Sequence, residues 1–153
     1  MRNKQKLLIE QLDQKLRPFS EAKKVPIPER GWIHTIRTAL NMTMAQLGTQ
    51  LNITRQGVKN IEVSEANGRI TLNSLKDVAH AMDLKLVYAL VPINGTVDDL
   101  IQLKAEKLAK KIVLRTDQNM KLENQGIGDE KIEKTIKELA DEIKREMRRS
   151  LWD

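Results

Sequence analysis

Four polar side chains stand close together in the stretch RQGVKN, namely Arg55, Gln56, Lys59 and Asn60. Arginine and lysine donate hydrogen bonds to the guanine edge in the DNA major groove, and glutamine and asparagine can bond adenine through both amide atoms. On a helix, residues four apart are neighbours, so the pairs 55/59 and 56/60 share one face. The stretch predicts a surface that reads base pairs, with these four residues as base contacts.

The elements that position these side chains are two short helices separated by a tight turn. One helix is predicted from Thr43 to Leu51, and a second begins after Thr54; both threonines are suited to the N-cap position. Asn52 accepts the left-handed conformation that a turn requires, and Gly48 leaves room for the second helix to approach the first. This order is typical of a helix-turn-helix motif, which presents the start of its second helix to the major groove.

Two further roles are expected near the turn. The helix N-termini capped by Thr43 and Thr54 offer backbone N–H groups to phosphate oxygens, so both residues are predicted as phosphate contacts. Ile53 is expected to fill the core beside the turn.

Arg37 lies on the helix that precedes the motif, and Glu62 lies near the end of the second helix of the motif. An ion pair between them would lock the two helices together, and a buried pair fixes geometry better than it adds stability. The alternative is two exposed charges that do not touch, which would contribute little.

The N-terminal residues 3 to 16 carry Leu8, Leu12 and Leu16 at intervals of four, which predicts an amphipathic helix. Residues 18 to 31 contain three prolines and show no helical period. They are read as an extended linker or a strap across the following domain.

Helical periods begin again at Trp32 and at Thr71, but the period changes to two in LKLVYALVP, residues 84 to 92. The alternation predicts a strand that is apolar on nearly both faces, with no second strand in the chain. Such a strand must pair with something, and the candidates are its copy in another chain or a residue of the proline-rich strap.

The C-terminal third carries two apolar stripes at helical spacing, separated by the polar stretch RTDQNMKLENQGIGDE. The first consists of Ile101, Ala105, Leu108 and Ile112, and the second of Ile132, Ile136, Leu139, Ile143 and Met147. The pattern is compatible with a helical hairpin, a partner-binding arm or a dimer seam.

Charge is distributed unevenly along the 153 residues. Residues 1 to 92 hold 14 Lys and Arg against 8 Asp and Glu, whereas residues 93 to 153 hold 13 of each, so the whole net charge of +6 lies in the first part. A basic half joined to a balanced half suggests an anionic partner for the first, although a generally basic soluble protein is the simpler alternative. The absence of cysteine and of a long apolar run predicts a cytoplasmic protein with no membrane span.

The residues that catalysis or metal binding would need are sparse. His34 and His80 are the only histidines, there is no cysteine, and no glycine-rich phosphate loop or nucleophile motif is found. The sequence therefore predicts no enzyme activity, no metal site and no cofactor.

The segments MAQLGTQL, NIT, RQGVKNIE and LNSLKDVAHAMDL, together with Arg37, resemble the helix-turn-helix domain of the Xre/Cro/phage-repressor superfamily over residues 33 to 92. The resemblance implies a lambda-repressor-like fold. It assigns base contacts to Arg55, Gln56, Lys59 and Asn60, and phosphate contacts to Thr43, Thr54 and Arg69. Many phage repressors have a glutamine where this chain has Met44, so one phosphate contact of that pattern is absent or replaced.

Over its full length, with GWIHTIRTAL and LVYALVP, the chain resembles the family called mobile mystery protein A, whose members are regarded as regulators or antitoxins encoded beside a Fic-domain protein. That resemblance implies an autoregulator that also binds a Fic-domain partner. Many Fic inhibitors carry a helix with the pattern S/T-x-x-x-E-G/N; the nearest stretch here runs from Asn119 through Glu123 to Asn124 and lacks the hydroxyl residue.

The resulting hypothesis is an all-α, lambda-repressor-like helix-turn-helix protein with one short strand and amphipathic helices at both ends. Its predicted domains are 1–29 (helix and strap), 30–92 (DNA-binding domain with the strand) and 93–153 (helical extension). It would act as a homodimeric repressor on double-stranded DNA. The competing hypothesis is a protein-binding module or toxin inhibitor that works through its C-terminal helices without specific DNA readout.

Overall fold

The computed structural model describes residues 2–122 and 128–153, with side chains from Lys4 to Asn119 and from Gly128 onward. Seven α-helices account for most of this part of the chain: α1 (Arg2–Leu16), α2 (Gly31–Ala39), α3 (Met44–Leu51), α4 (Arg55–Ala66), α5 (Leu72–Ala81), α6 (Val97–Leu122) and α7 (Asp129–Glu146). Short 3₁₀ turns cover Arg17–Phe19, Ala22–Lys24 and Arg149–Trp152. The predicted all-α class is confirmed.

The predicted strand is absent, because residues 84–92 adopt neither strand nor helix, and no other described residue lies in a strand. A strand exists only when its backbone groups are paired with a neighbour, and the described part of the single chain supplies no such neighbour.

By packing, the chain divides into a central unit, Lys23–Ala89, and a terminal unit composed of Met1–Ala22 and Leu90–Asp153. The domain boundaries predicted at 29/30 and 92/93 stay predictions. No helix among the described residues is long and apolar enough to cross a membrane.

Helices α2 to α5 form the central unit around five buried side chains: Ile33, Leu47, Val58, Val78 and Met82. Three of these helices start in the same way, because the hydroxyls of Thr43, Thr54 and Thr71 each accept the backbone N–H three residues later. An N-cap of this kind contributes about 1 kcal/mol to helix stability. The starts of α3, α4 and α5 are therefore fixed by local sequence.

The turn between α3 and α4 depends on Asn52, whose φ of 57° and ψ of 40° are left-handed. The Ile53 N–H donates to the Gly48 carbonyl at 2.9 Å, and a Cβ on Gly48 would lie 2.7 Å from the Ile53 carbonyl oxygen. Gly48 is required there because the backbone of the turn closes directly onto the helix. The expectation that Ile53 fills the core is wrong, since its side chain is 37% exposed and lies against Gly57.

In the terminal unit, α6 and α7 pack together as a helical hairpin around Ile101, Ala105, Ala109, Ala140 and Ile143. Alanine at three of these positions lets the two backbones approach closely. The buried stripe of α6 runs through Ala109 and Val113, and the predicted Ile112 is 40% exposed. The fully buried positions of α6 are therefore four residues apart, and the predicted Leu108 packs, partly buried, against the same core.

The face that α1 buries also differs from the prediction. Ile9 packs against the core of the terminal unit, and the two carboxylate oxygens of Asp13 accept the N–H groups of Val97 and Asp98 at 2.8 and 3.2 Å. Asp13 thus caps α6. Leu8 and Leu12, two of the predicted apolar positions, are instead 48% and 43% exposed.

Candidate nucleic-acid interface

The first two turns of α4 present all four predicted base-contact residues to the exterior. Arg55, Gln56, Lys59 and Asn60 are exposed, whereas the opposite face of the helix buries Val58 and Glu62. In the part of the chain that the structure describes, neither Arg55 nor Lys59 forms an ion pair. Both cations are consequently available to an external partner.

Gln56 and Asn60 are joined to each other on this face. The Gln56 Nε2 donates to the Asn60 Oδ1 at 3.1 Å. This bond leaves the Gln56 Oε1 as an acceptor and the Asn60 Nδ2 as a donor, on two residues that are both exposed. Adenine presents one donor and one acceptor in the major groove, so the linked pair offers a complementary set of groups.

Both helices of the predicted motif begin with unpaired backbone donors. The Thr43 hydroxyl accepts the Gln46 N–H while the Gln46 side chain accepts the Thr43 N–H at 2.8 Å, and the Thr54 hydroxyl accepts the Gly57 N–H. The N–H groups of the first two residues of each helix have no partner among the described residues. These donors, with the positive end of the helix dipole, can bind an oxyanion.

Arg69, the third predicted phosphate contact, lies beyond the end of α4 and its side chain is exposed. Its backbone N–H donates to the Ser64 carbonyl at 2.8 Å. That bond fixes the backbone that carries the Arg69 side chain.

The structure brings the predicted pair Arg37 and Glu62 together in the interior. Arg37 Nε donates to Glu62 Oε1 at 2.5 Å, Arg37 Nη2 donates to Glu62 Oε2 at 3.3 Å, and Arg37 Nη1 donates to the Met42 carbonyl at 2.8 Å. Arg37 and Glu62 are 6% and 5% exposed. The two-point contact joins α2 to α4, and the third bond attaches the same arginine to the loop that leads into α3.

His34 was not assigned to this contact from the sequence, yet its Nδ1 lies 3.3 Å from Glu62 Oε2. Burial alone raises the pKa of Glu62, but the hydrogen bonds and positive charge of Arg37, with a contribution from His34, outweigh it. The pKa of Glu62 therefore lies below its ordinary value, and the carboxylate stays ionised.

Glu65 makes a second contact between α4 and α2 that the sequence reading missed. Its carboxylate accepts the N–H groups of Trp32 and Ile33 at 3.0 and 2.8 Å, which caps the start of α2. Gly31 permits this approach, because it has a φ of 87° and a Cβ there would lie 2.6 Å from Glu65 Oε1. In the sequence, this contact is indicated only by a glycine at the start of α2, Gly31, and by a glutamate one helical turn after Glu62.

The distribution of carboxylates decides the electrostatic character of the α3–α4 surface. There is no Asp or Glu between Glu29 and Glu62, and the two carboxylates of α4, Glu62 and Glu65, are both bound by α2. The exposed face at the start of α4 consequently carries cations and amides without a carboxylate.

Within 2–122 and 128–153 there is no group of three His, Asp or Glu side chains that could hold a metal ion. The stretch compared with Fic inhibitors ends at Glu123 and Asn124, which lie outside the described residues.

Comparisons of this chain with protein-family models, with curated proteins and with solved structures found no match.

Proposed function

We propose that this protein is a sequence-specific DNA-binding regulator of the Xre/Cro type, in which α3 and α4 form the helix-turn-helix and α4 enters the major groove. The observation that carries the proposal is the carboxylate-free face of α4, because both of its acidic side chains are turned toward α2. This arrangement favours DNA binding, since the cations on the face attract phosphate and no exposed carboxylate beside them opposes that attraction.

In the proposed complex, phosphate contacts set the register and base contacts set the specificity. Thr43, Thr54 and the unpaired N–H groups beside them bind phosphate, as does Arg69 beyond the end of α4. Arg55 and Lys59 donate to guanine. Each good bidentate contact discriminates against a wrong base by about 1–3 kcal/mol.

The contacts on the buried side of α4 support the proposal, because they fix the position of this helix. Arg37–Glu62 and the Glu65 cap attach two successive turns of α4 to α2, and the left-handed Asn52 fixes its attachment to α3. Base discrimination depends on hydrogen-bond geometry, so a rigid support for the reading helix favours specificity over general attraction.

We further propose that the protein acts as a homodimeric repressor of its own promoter. Two copies would read half-sites about 34 Å apart, one turn of the duplex. The resemblance to the mobile mystery protein A family adds a Fic-domain protein as the proposed second partner.

The competing function is a protein-binding module or toxin inhibitor that acts through the C-terminal helices. Exposed apolar residues on α6 favour it, since Leu103 is 61% exposed and Ile112 and Leu114 are 40% and 36% exposed. Protein contacts made there and DNA contacts made by α4 use different surfaces, so one chain can carry both functions.

The deciding experiment is fluorescence anisotropy of the protein on DNA from upstream of its own gene and on a scrambled duplex, across a salt series. Specific binding should survive added salt, whereas charge-driven binding should fall steeply on both duplexes. Gln56→Ala should reduce the preference for the upstream DNA.

Two arginine variants distinguish a base contact from a phosphate contact. Arg55→Ala should reduce the difference between the two duplexes, and Arg69→Ala should weaken binding to both alike. Uniform losses from both variants would remove Arg55 as a base reader. Equal binding of the wild-type protein to both duplexes would instead favour the competing function, to be followed by a pull-down with the full-length protein and its Fic-domain neighbour.

A further inference from the structure

The segment from Leu84 to Val91 exposes apolar side chains to an unusual degree for a connection between helices. Leu90 is 90% exposed, Val87 64%, Tyr88 60% and Leu84 38%. Valine, tyrosine and leucine in alternation are favoured in strands, where they pack against a neighbouring chain. The segment therefore leaves an apolar surface that the described part of its own chain does not cover.

Its backbone is also unpaired. The Leu84 N–H donates to the Ala79 carbonyl at 2.7 Å, but from Lys85 to Val91 no backbone group has a hydrogen-bond partner among the described residues. A run of unpaired N–H and C=O groups is a template for a β-strand from another chain.

We propose that Leu84–Val91 is the dimerisation element of this protein, and that it becomes a strand by pairing antiparallel with the same segment of a second copy. A second copy is the occupant that the observations favour, because it brings the same apolar side chains and the same unpaired backbone groups. The pairing covers the apolar side chains of both copies and gives their backbone N–H and C=O groups hydrogen-bond partners.

The symmetry of the pair, together with the largest overlap of the two segments, leaves two registers. Residues directly opposite in an antiparallel pair point to the same face, and side chains alternate along each strand. A two-fold axis perpendicular to the plane of the pair relates each residue to the same residue of the second copy, on the same face. If the axis passed between two residue positions, residues whose side chains point to opposite faces would lie opposite each other. The axis must therefore pass through a residue position. In the middle of the segment, either Val87 or Tyr88 faces its own copy.

Charge is compatible with both registers. Lys85 lies opposite Ala89 when Val87 is central and opposite Val91 when Tyr88 is central, so the two lysines never face each other. Like charges placed directly opposite would destabilise the pair. The segment contains no other charged residue.

The central unit offers additional surface next to the segment. A groove of about 300 Å³ is lined by Trp32, Leu75, Leu86 and Val87, among others, and Trp32 is 42% exposed. Stable interfaces bury about 800 Å² per partner. A two-stranded pair alone is marginal in water, so side chains of the second copy that enter this groove supply the remaining contact.

This inference deepens the dimer of the proposed function and rests on that part of it alone. It does not require DNA binding, and its test contains no DNA. A failure to dimerise and a failure to read DNA are thus separate results.

The absence of cysteine makes a direct test possible, because a single introduced cysteine is the only thiol in the chain. Val87→Cys and Tyr88→Cys are prepared in the full-length protein, with Asn73→Cys, exposed on α5, as the matched control. Opposed residues in antiparallel strands have Cα atoms about 4.5–5.5 Å apart, within the range of a disulfide. One of the two central variants should form a cross-linked dimer on mild oxidation, and the control should stay monomeric on a denaturing gel.

Light scattering on the wild-type protein should give twice the 17.6 kDa mass of one chain. Leu90→Lys should return that mass to the monomer value without changing the helical circular dichroism, and Leu12→Lys, on the exposed face of α1, should leave the dimer intact. A wild-type monomer at every concentration, or a dimer in which neither central cysteine cross-links, would overturn the proposal. So would a dimer that persists in Leu90→Lys.

Discussion

The guanidinium of Arg37 and the carboxylate of Glu62 are charged groups that water hardly reaches. Removing one partner leaves the other as an uncompensated buried charge, which costs about 3–5 kcal/mol. We expect Arg37→Met to lower the free energy of unfolding by that amount. Chemical denaturation followed by circular dichroism measures it. The double variant Arg37→Met/Glu62→Leu should recover much of the loss, and a double variant as unstable as the single one would contradict this account.

The same pair predicts a dependence of stability on pH. Because the folded state lowers the pKa of Glu62, the stabilisation is complete above the unfolded-state pKa of about 4.3. It is lost as the pH falls through the lower, folded-state pKa. Denaturation midpoints of the wild-type protein should therefore fall in this acid range more steeply than those of Glu62→Gln, which cannot ionise there. Parallel pH profiles would show that Glu62 is not the responsible group.

Gln56 and Asn60 form one hydrogen-bonded unit on the outer face of α4. If the linked pair reads one adenine, either alanine substitution removes most of the contribution of both. The double variant Gln56→Ala/Asn60→Ala should then bind the preferred duplex only slightly more weakly than each single variant. Anisotropy titrations of the four proteins give the coupling energy. Additive losses would indicate two independent readers.

Between α3 and α4, the geometry depends on the absence of a single methyl group. Gly48→Ala would place a Cβ 2.7 Å from the Ile53 carbonyl oxygen, and the turn must shift to relieve this contact. We expect a loss of about 1–3 kcal/mol in the free energy of unfolding, as for other overpacked sites. Thermal denaturation provides the measurement.

Gly57→Ala is the matched control for that substitution. Its Cβ would meet flexible side-chain atoms of Ile53 at 3.3 Å. A gain of about 1 kcal/mol in helix propensity offsets the tight contact. The control should be close to neutral, and a loss equal to that of Gly48→Ala would remove the special role of the turn.

For the whole molecule, the question is whether net charge or the position of charge drives DNA binding. Lys59→Gln and Lys107→Gln remove one exposed cation each, the first from α4 and the second from α6, in the balanced C-terminal part of the chain. A lost phosphate contact reduces the slope of log K against log salt by about 1. The proposed complex places Lys59 at a base edge in the major groove, close to the phosphates on both sides, so its variant should lose affinity and slope, and the Lys107 variant should retain both. Identical behaviour would indicate a general basic attraction.

Much of the central unit follows from contacts that are local in sequence. The caps at Thr43, Thr54 and Thr71 each join residues three apart, and the left-handed Asn52 requires nothing outside its own turn. Such features can be predicted from the sequence, because a short loop leaves the backbone few other conformations. The prediction failed for Ile112 and Leu12, where several apolar residues compete for one buried face and the packing partner decides among them.

The residue pattern established the helical class, the starts of α3, α4 and α5, and a stretch of more than 30 residues without a carboxylate that leads into the candidate reading helix. Packing in three dimensions settled where Glu62 and Glu65 point, because their partners, Arg37 and the start of α2, are about 25 to 33 residues away along the chain. It also removed the predicted strand from the single chain. The physical reason is the same in both cases: a cap is satisfied within its own turn, whereas a buried charge or a strand is satisfied only by a distant partner.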